Sequence, residues 1–296
     1  MERKRVSLVL GSGGARGLAH IGVIECLEAR GYDIRYISGA SMGALVGGIY
    51  AAGKLNVYRD WVCELDRSDV VRLLDWSFSR SSIFKGDRIV DVMRDLIGDC
   101  DIKDLSIGFT AVATDLATGR EVWLNEGSLF AAIRASIAIP AVFAPVEREG
   151  RILADGGLVN PVPIAPTLND DTDLTIAVNL SGPAEQMSRE PPRPSEKQGE
   201  SIYRAAINRF IDSLFLAASR DHDIHEIPSA MEVMARSLDT MQAQIARFRT
   251  AAYNPHVVIN IPRNICTLFE FHRARELIEF GRERAGEALD RAETRE

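Results

Sequence analysis

The chain has 296 residues and a mass of 32.6 kDa, enough for one large domain that buries roughly three quarters of the surface its unfolded form exposes. With 42 acidic residues against 35 basic ones, the net charge of −7 argues against a broad nucleic-acid surface, so no nucleic-acid partner is expected. Cys26, Cys63, Cys100 and Cys266 stand far apart with no C-x-x-C pair, which argues against a zinc site and suits a reducing compartment.

In chain order, residues 6–10 (Val-Ser-Leu-Val-Leu) read as a short buried strand that runs into a glycine cluster, Gly11-Ser12-Gly13-Gly14-Ala15-Arg16-Gly17. The apolar run after the basic start MERKR is too short for a secretory signal, and no window reaches the ~20 apolar residues of a membrane span. Cytoplasmic residence is expected. Residues 18–30 read as a helix stopped by Gly31, and residues 34–38 as a second strand. A turn at Gly39-Ala40-Ser41-Met42-Gly43 leads into a helix over 44–52, whose Gly and Ala content lets it lie close to a sheet. Strand, helix, strand, helix with tight loops predicts an α/β fold: a mostly parallel sheet flanked by helices on both faces.

Further strands are expected over 108–114, 121–124, 151–154, 174–180 and 256–260, and helices over 87–97 and 128–136. Residues 181–200, with four prolines among charges, read as a flexible loop. Residues 202–220, 229–253 and 270–292 read as helices, and Ser229 with Glu232 forms a capping-box pattern. The chain therefore divides into a core over 5–180, the loop over 181–200 and a helical C-terminal part over 201–292 packed on the core. There is no internal repeat.

Two of the turns carry chemistry. Gly39 to Gly43 matches G-x-S-x-G on a strand–helix junction, where a sharp turn lifts the Ser41 hydroxyl clear of the sheet and the next helix's N-terminus favours negative charge. The plainer reading is a tight turn whose serine caps a helix. The cluster at 11–17 also joins strand to helix. Read as a dinucleotide loop, the strict G-x-G-x-x-G fails because Arg16 occupies the third glycine's place; the looser spacing of Gly11, Gly13 and Gly17 survives, yet no acid closes the second strand. Read as an oxyanion hole, it offers the Gly13 and Gly14 N–H groups to a tetrahedral intermediate, and this reading is favoured.

A nucleophilic serine needs a base. The histidines are His20, His222, His225, His256 and His272, and Ser41 stands too early in the chain for the serine–acid–histidine order of an α/β-hydrolase. Asp155, in Asp155-Gly156-Gly157 at the end of a short strand, is the alternative, although Asp-Gly is also ordinary turn chemistry.

The ordered set G-G-x-R-G (Gly13 to Gly17), G-x-S-x-G (Gly39 to Gly43) and D-G-G (Asp155 to Gly157) resembles that of patatin-like phospholipases, in their bacterial branch. Ala113-Thr114-Asp115-Leu116-Ala117-Thr118-Gly119 and Arg134-Ala135-Ser136-Ile137-Ala138-Ile139-Pro140 extend the resemblance, which covers residues 5 to about 180. It implies a Ser41–Asp155 dyad, an oxyanion hole at Gly13 and Gly14, and hydrolysis of phospholipid or other acyl-ester substrates, with peripheral membrane contact and no metal or cofactor. It places Arg16 near a substrate phosphate or in support of the loop. Ser12 departs from the pattern, since many members have glycine there. Two alternatives remain: a thioesterase or acyltransferase with the same nucleophile, and a nucleotide-binding regulator using the glycine loop. Nothing in the sequence speaks to oligomeric state.

Three other features carry less. Asp221 to Glu226, with His222 and His225, reads better as a solvated helix end than as a metal site. His20 reads as a hydrogen-bonded structural histidine. Ile202, Phe210, Leu214 and Phe215 make one helix strongly apolar, for core packing or, failing that, for a lid or an interfacial patch.

Overall fold

In the computed structural model, described over residues 3–73, 82–84, 86–186 and 230–294, an eight-stranded mixed sheet runs through the molecule. Strands β1 (Arg5–Leu10), β2 (Asp33–Ala40), β4 (Gly108–Asp115), β9 (Leu174–Gly182) and β10 (Val257–Pro262) are parallel, in the order β10-β9-β1-β2-β4. Strands β5 (Arg120–Leu124), β7 (Val146–Arg148) and β8 (Arg151–Asp155) add antiparallel pairings beyond β4. Strands β3 (Ser82–Phe84) and β6 (Ala141–Phe143) form a separate two-stranded pair.

Alternation along β1 shows how the sheet makes three layers. Leu8 and Leu10 face the main core with Ile21, Leu45 and Leu277, whereas Val9 faces the opposite side with Val162, Ile164, Ala177 and Ala246. Helices α1 (Ala19–Ala29), α2 (Met42–Ala51) and α8 (Ala274–Glu293) pack on the first face, and α7 (Ala230–Tyr253) covers the second. Helices α3 (Leu55–Val62), α4 (Arg67–Leu73), α5 (Asp87–Ile97) and α6 (Leu129–Ser136) complete the described helices.

Glycine contacts set how closely these elements approach. A Cβ on Gly22 of α1 would lie 1.8 Å from the Ile278 carbonyl oxygen, and one on Gly281 of α8 would lie 2.1 Å from that of Ala19. The two backbones therefore touch, and alanine at either position would push the helices apart. Likewise a Cβ on Gly43 would meet the Leu10 carbonyl oxygen at 2.0 Å, so α2 starts directly against β1, as its small residues foretold.

The strands and helices expected between residues 6 and 180 are present, with shifts at their ends. Helix α2 starts at Met42, two residues early, because its first turn begins inside the serine turn. Strand β9 continues to Gly182 because β10 pairs with it that far. The last helix starts at Ala274 after a 3-10 turn at Phe271–Arg273. Helices α3 and α4 and strands β3, β6 and β7 were not anticipated. The helix expected over 202–220, the cluster at 221–226, the capping box at Ser229 and most of the loop over 181–200 lie outside the described residues.

Candidate active site

The serine turn is built by neighbours that have no room to move. Ser41 has φ 55° and ψ −123°, a positive-φ conformation that non-glycine residues rarely occupy, between the end of β2 and the start of α2. A Cβ on Gly39 would meet the Gly43 carbonyl oxygen at 2.4 Å, so glycine is required where the turn folds back on itself. The Ser41 carbonyl accepts from the Ala44 and Leu45 N–H groups (2.9 and 3.1 Å), which ties the turn into the helix. The Ser41 N–H donates instead to Ser136 Oγ at 2.9 Å, and Ser136 donates to the Val112 carbonyl at 2.6 Å.

Strand register brings Asp155 to the same place. Ala40 pairs with Val112 and Asp155 pairs with Ala113, so β2 and β8 both end against consecutive residues of β4. Ser41 and Asp155 are each 2% exposed. Asp155 Oδ1 accepts from the Gly157 N–H at 2.7 Å, while Oδ2 accepts no hydrogen bond among the described residues. Burial pushes the carboxyl up to about 7; the Ser41 hydroxyl and the Gly157 N–H pull against that rise without cancelling it. A carboxylate in this range is a competent base near neutral pH, which an ordinary aspartate is not. Thr114 Oγ1 and the Ala138 carbonyl hold the Asp155 backbone, at 2.8 and 2.9 Å.

The glycine loop lies between β1 and a 3-10 turn at Gly14–Leu18. The Gly11, Ser12 and Ala15 N–H groups donate to the Val178, Pro161 and Leu268 carbonyls, at 3.0, 2.8 and 2.9 Å. The Gly13 and Gly14 N–H groups, between them, have no acceptor among the described residues. Such a pair is suited to a developing oxyanion. Ser12, buried, sits against the Asp-Gly-Gly turn: a Cβ on Gly157 would lie 2.3 Å from its hydroxyl. A cavity of about 70 Å³ is lined by Ser41 and Gly14 and runs between α2, α3 and α5; its other walls are apolar, among them Leu45, Tyr58, Met93, Phe130 and Leu268.

The sequence model of the patatin-like phospholipase family matches residues 8–168, from β1 through both turns to just beyond Asp-Gly-Gly. The chain belongs to that family. An uncharacterized NTE family protein of Mycobacterium tuberculosis is 42% identical over 97% of this chain and 91% of its own length. Neuropathy target esterase sws of Drosophila melanogaster is 30% identical over 57% of this chain, which corresponds to 13% of that protein. VipD from Legionella pneumophila shares the fold, with a TM-score of 0.50 at 15% identity, over 99% of this chain and 67% of that one.

Within this patatin-like site, the residues singled out from the sequence fall into three groups. Ser41, Asp155, Gly14 and the neighbouring Gly13 lie together at the C-terminal ends of β1, β2 and β8, inside the sheet. Gly39, Gly43, Gly156 and Gly157 are close-approach positions; a Cβ on Gly156 would meet the Val112 carbonyl oxygen at 2.0 Å. Arg16 points away into protein. Its Nε donates to the Gly13 carbonyl (3.1 Å), Nη1 to the Arg263 carbonyl (3.1 Å) and Nη2 to Asp239 (2.6 Å), an arrangement that holds the loop and leaves its three nitrogens occupied.

The histidines are tied elsewhere. His20 is buried, its Nε2–H donating to the Gly11 carbonyl at 2.9 Å, and burial lowers it to about 4. His256 Nδ1 accepts from the Thr175 N–H at 3.0 Å, and Arg67 donates to His272 at 3.3 Å. His222 and His225 lie outside the described residues, and among the described residues no cluster of three metal-ligating side chains occurs. Sequence reasoning missed Ser136, Asp239 and the apolar cavity. Ser136 stood inside a quoted family segment, but a hydroxyl at a helix end carries no signal of its own.

Proposed function

We propose that this protein hydrolyses carboxylic esters of lipids, phospholipids or lysophospholipids foremost, through an acyl–Ser41 intermediate. The observation that carries the reading is Ser41, on a strained turn that lines an apolar cavity, beside a buried carboxyl raised to about 7. Asp155 takes the hydroxyl proton as Ser41 Oγ attacks the ester carbonyl, and the Gly13 and Gly14 N–H groups stabilise the oxyanion. The leaving alcohol departs with the proton from Asp155. Water, deprotonated by Asp155, then attacks the acyl-serine; the bond from Ser41 Oγ to the acyl carbon breaks, the proton on Asp155 returns to Oγ, and the fatty acid is released. The acyl chain lies in the apolar cavity.

Contact with the lipid surface is peripheral on this reading; among the described residues no helix is long and apolar enough to cross a membrane. A fluorophosphonate tests the proposal: it adds its mass to the wild type at Ser41 and nothing to Ser41→Ala. A panel of phosphatidylcholine, lysophosphatidylcholine and an acyl thioester then separates lipase from thioesterase. An unlabelled wild type that still cleaves esters removes Ser41 from the role.

A further inference from the structure

Resting on the Ser41–Asp155 reading, we propose that Ser136 is a positioning residue that fixes the nucleophile turn and sets its distance from the base. Three observations converge on the short segment that ends α6. Ser136 is fully buried, and its hydroxyl is used in both directions: it accepts the Ser41 N–H at 2.9 Å and donates to the Val112 carbonyl at 2.6 Å. Two residues on, the Ala138 carbonyl accepts the Asp155 N–H at 2.9 Å. The Val112 carbonyl that Ser136 holds is also the one against which Gly156 packs. One segment therefore grips the backbone of the proposed nucleophile, the backbone of the proposed base, and the strand between them.

The need for such a grip follows from the turn itself. Ser41 sits at φ 55°, a conformation that persists only when its surroundings over-determine it. Its N–H lies outside the α2 ladder and is buried, so it requires an acceptor or it drives the turn to relax. Among the described residues no main-chain carbonyl supplies one; the Ser136 hydroxyl does. With the hydroxyl gone, the turn relaxes toward an ordinary helix start, and Oγ moves relative to both Asp155 and the Gly13–Gly14 pair. Misplacement of this kind lowers the rate of chemistry while leaving the acyl cavity, and so substrate binding, in place. Ser136 touches no reacting atom.

Ser136→Ala in the full chain is measured with p-nitrophenyl butyrate as substrate and a fluorophosphonate as label. The expected result is a kcat lower by about 10- to 100-fold, KM within about twofold, and a labelling rate lowered by a similar factor, with the circular dichroism spectrum unchanged. In an Asp155→Asn background the same change costs clearly less than in wild type, because the part of the positioning that acts through the dyad is already lost. Folded Ser136→Ala with wild-type kcat, or an effect that multiplies fully on Asp155→Asn, overturns the proposal. Should Ser136→Ala fail to fold, near-isosteric Ser136→Cys, a weaker donor and acceptor, also shows reduced kcat, and wild-type kcat in it overturns the proposal equally. Failure of the underlying reading looks different: Ser41→Ala stays active or the wild type resists the label, and the proposal falls with it.

Discussion

Arg16 and Asp239 form an ion pair at 2.6 Å that joins the glycine loop to α7, with the guanidinium almost fully buried and the carboxylate 40% exposed. The same Arg16 holds the Gly13 carbonyl, so α7, more than 200 residues downstream, braces a candidate oxyanion donor. A second link runs from Asn160, just after Asp-Gly-Gly, through Glu121 to Arg249 of α7. Asp239→Ala is therefore expected to lower stability by about 1–2 kcal/mol, the value of a hydrogen bond to a charged group reduced by water on the carboxylate's side. Arg16→Ala, which breaks three contacts, costs more. Urea unfolding of both variants checks the order; equal stability of Arg16→Ala and wild type would remove the brace.

Gly14 has φ +55°, and a Cβ there would meet the Leu268 side chain at 2.2 Å and its carbonyl at 2.7 Å. Gly13→Ala meets Leu180 Cβ at 2.6 Å. Both substitutions tilt the loop's free N–H pair, and turnover is expected to fall by about 10²-fold, the usual effect of one lost oxyanion donor. A folded Gly14→Ala variant with full turnover returns the loop to a purely structural role.

Leu45 lies one helical turn beyond Ser41 and lines the apolar cavity. Leu45→Phe narrows it close to the serine. Activity on p-nitrophenyl octanoate is expected to drop about tenfold more than on the acetate, since short acyl groups do not reach the added ring. An equal loss on both esters would mean that the acyl chain lies elsewhere.

Much of this site was legible because its parts end in short glycine-rich turns. Residues 6–10, mostly apolar, and 34–38, rich in strand-forming residues, stop at Gly11 and Gly39, and the turn chemistry at both follows from residue type. The meeting of Ser41 with Asp155 across 114 residues was legible only through the family resemblance. Physically it depends on β2 and β8 ending at adjacent residues of β4, and no local periodicity encodes that register. Gly22 and Gly281 drew no reading from the sequence, and the crossing of α1 and α8 is what explains them. Helix α3 buries Leu55, Tyr58 and Val62 at helical spacing, a pattern too short to stand out among its charged neighbours.

No histidine in the described residues is placed to act as base. His256 accepts a main-chain N–H near the start of β9, and His272 is engaged by Arg67. His256→Gln and His272→Gln are each expected to keep kcat within about twofold of wild type. The pH–rate profile of the wild type should rise with an apparent pKa near 7 that survives both changes. If either folded variant loses activity as completely as Ser41→Ala, a serine–histidine mechanism replaces the dyad.

The raised Asp155 carboxyl also predicts a conflict between activity and stability. Its folded-state value of about 7 lies above the ordinary 3.8, so between those values the folded protein holds a proton that the unfolded chain has released. Stability from this group is therefore greatest below about pH 4, falls as pH rises, and reaches its full deficit above pH 7. The shift corresponds to a deficit on the order of 4 kcal/mol, an upper figure for a fully buried group. Asp155→Asn removes the charge and keeps an oxygen for the Gly157 N–H, while its amide is a donor where Oδ2 has no hydrogen-bond partner among the described residues. This variant should lose at least about 10²-fold in turnover, as lost general bases do. At pH 8 it should unfold at a higher temperature than wild type, with the gap closing toward pH 4. Thermal unfolding of both proteins across pH 4 to 8 decides the matter. A variant less stable than wild type at pH 8 would mean that the ionised carboxylate is well solvated or well paired in the folded state, and that burial is not what prepares Asp155 to take the proton.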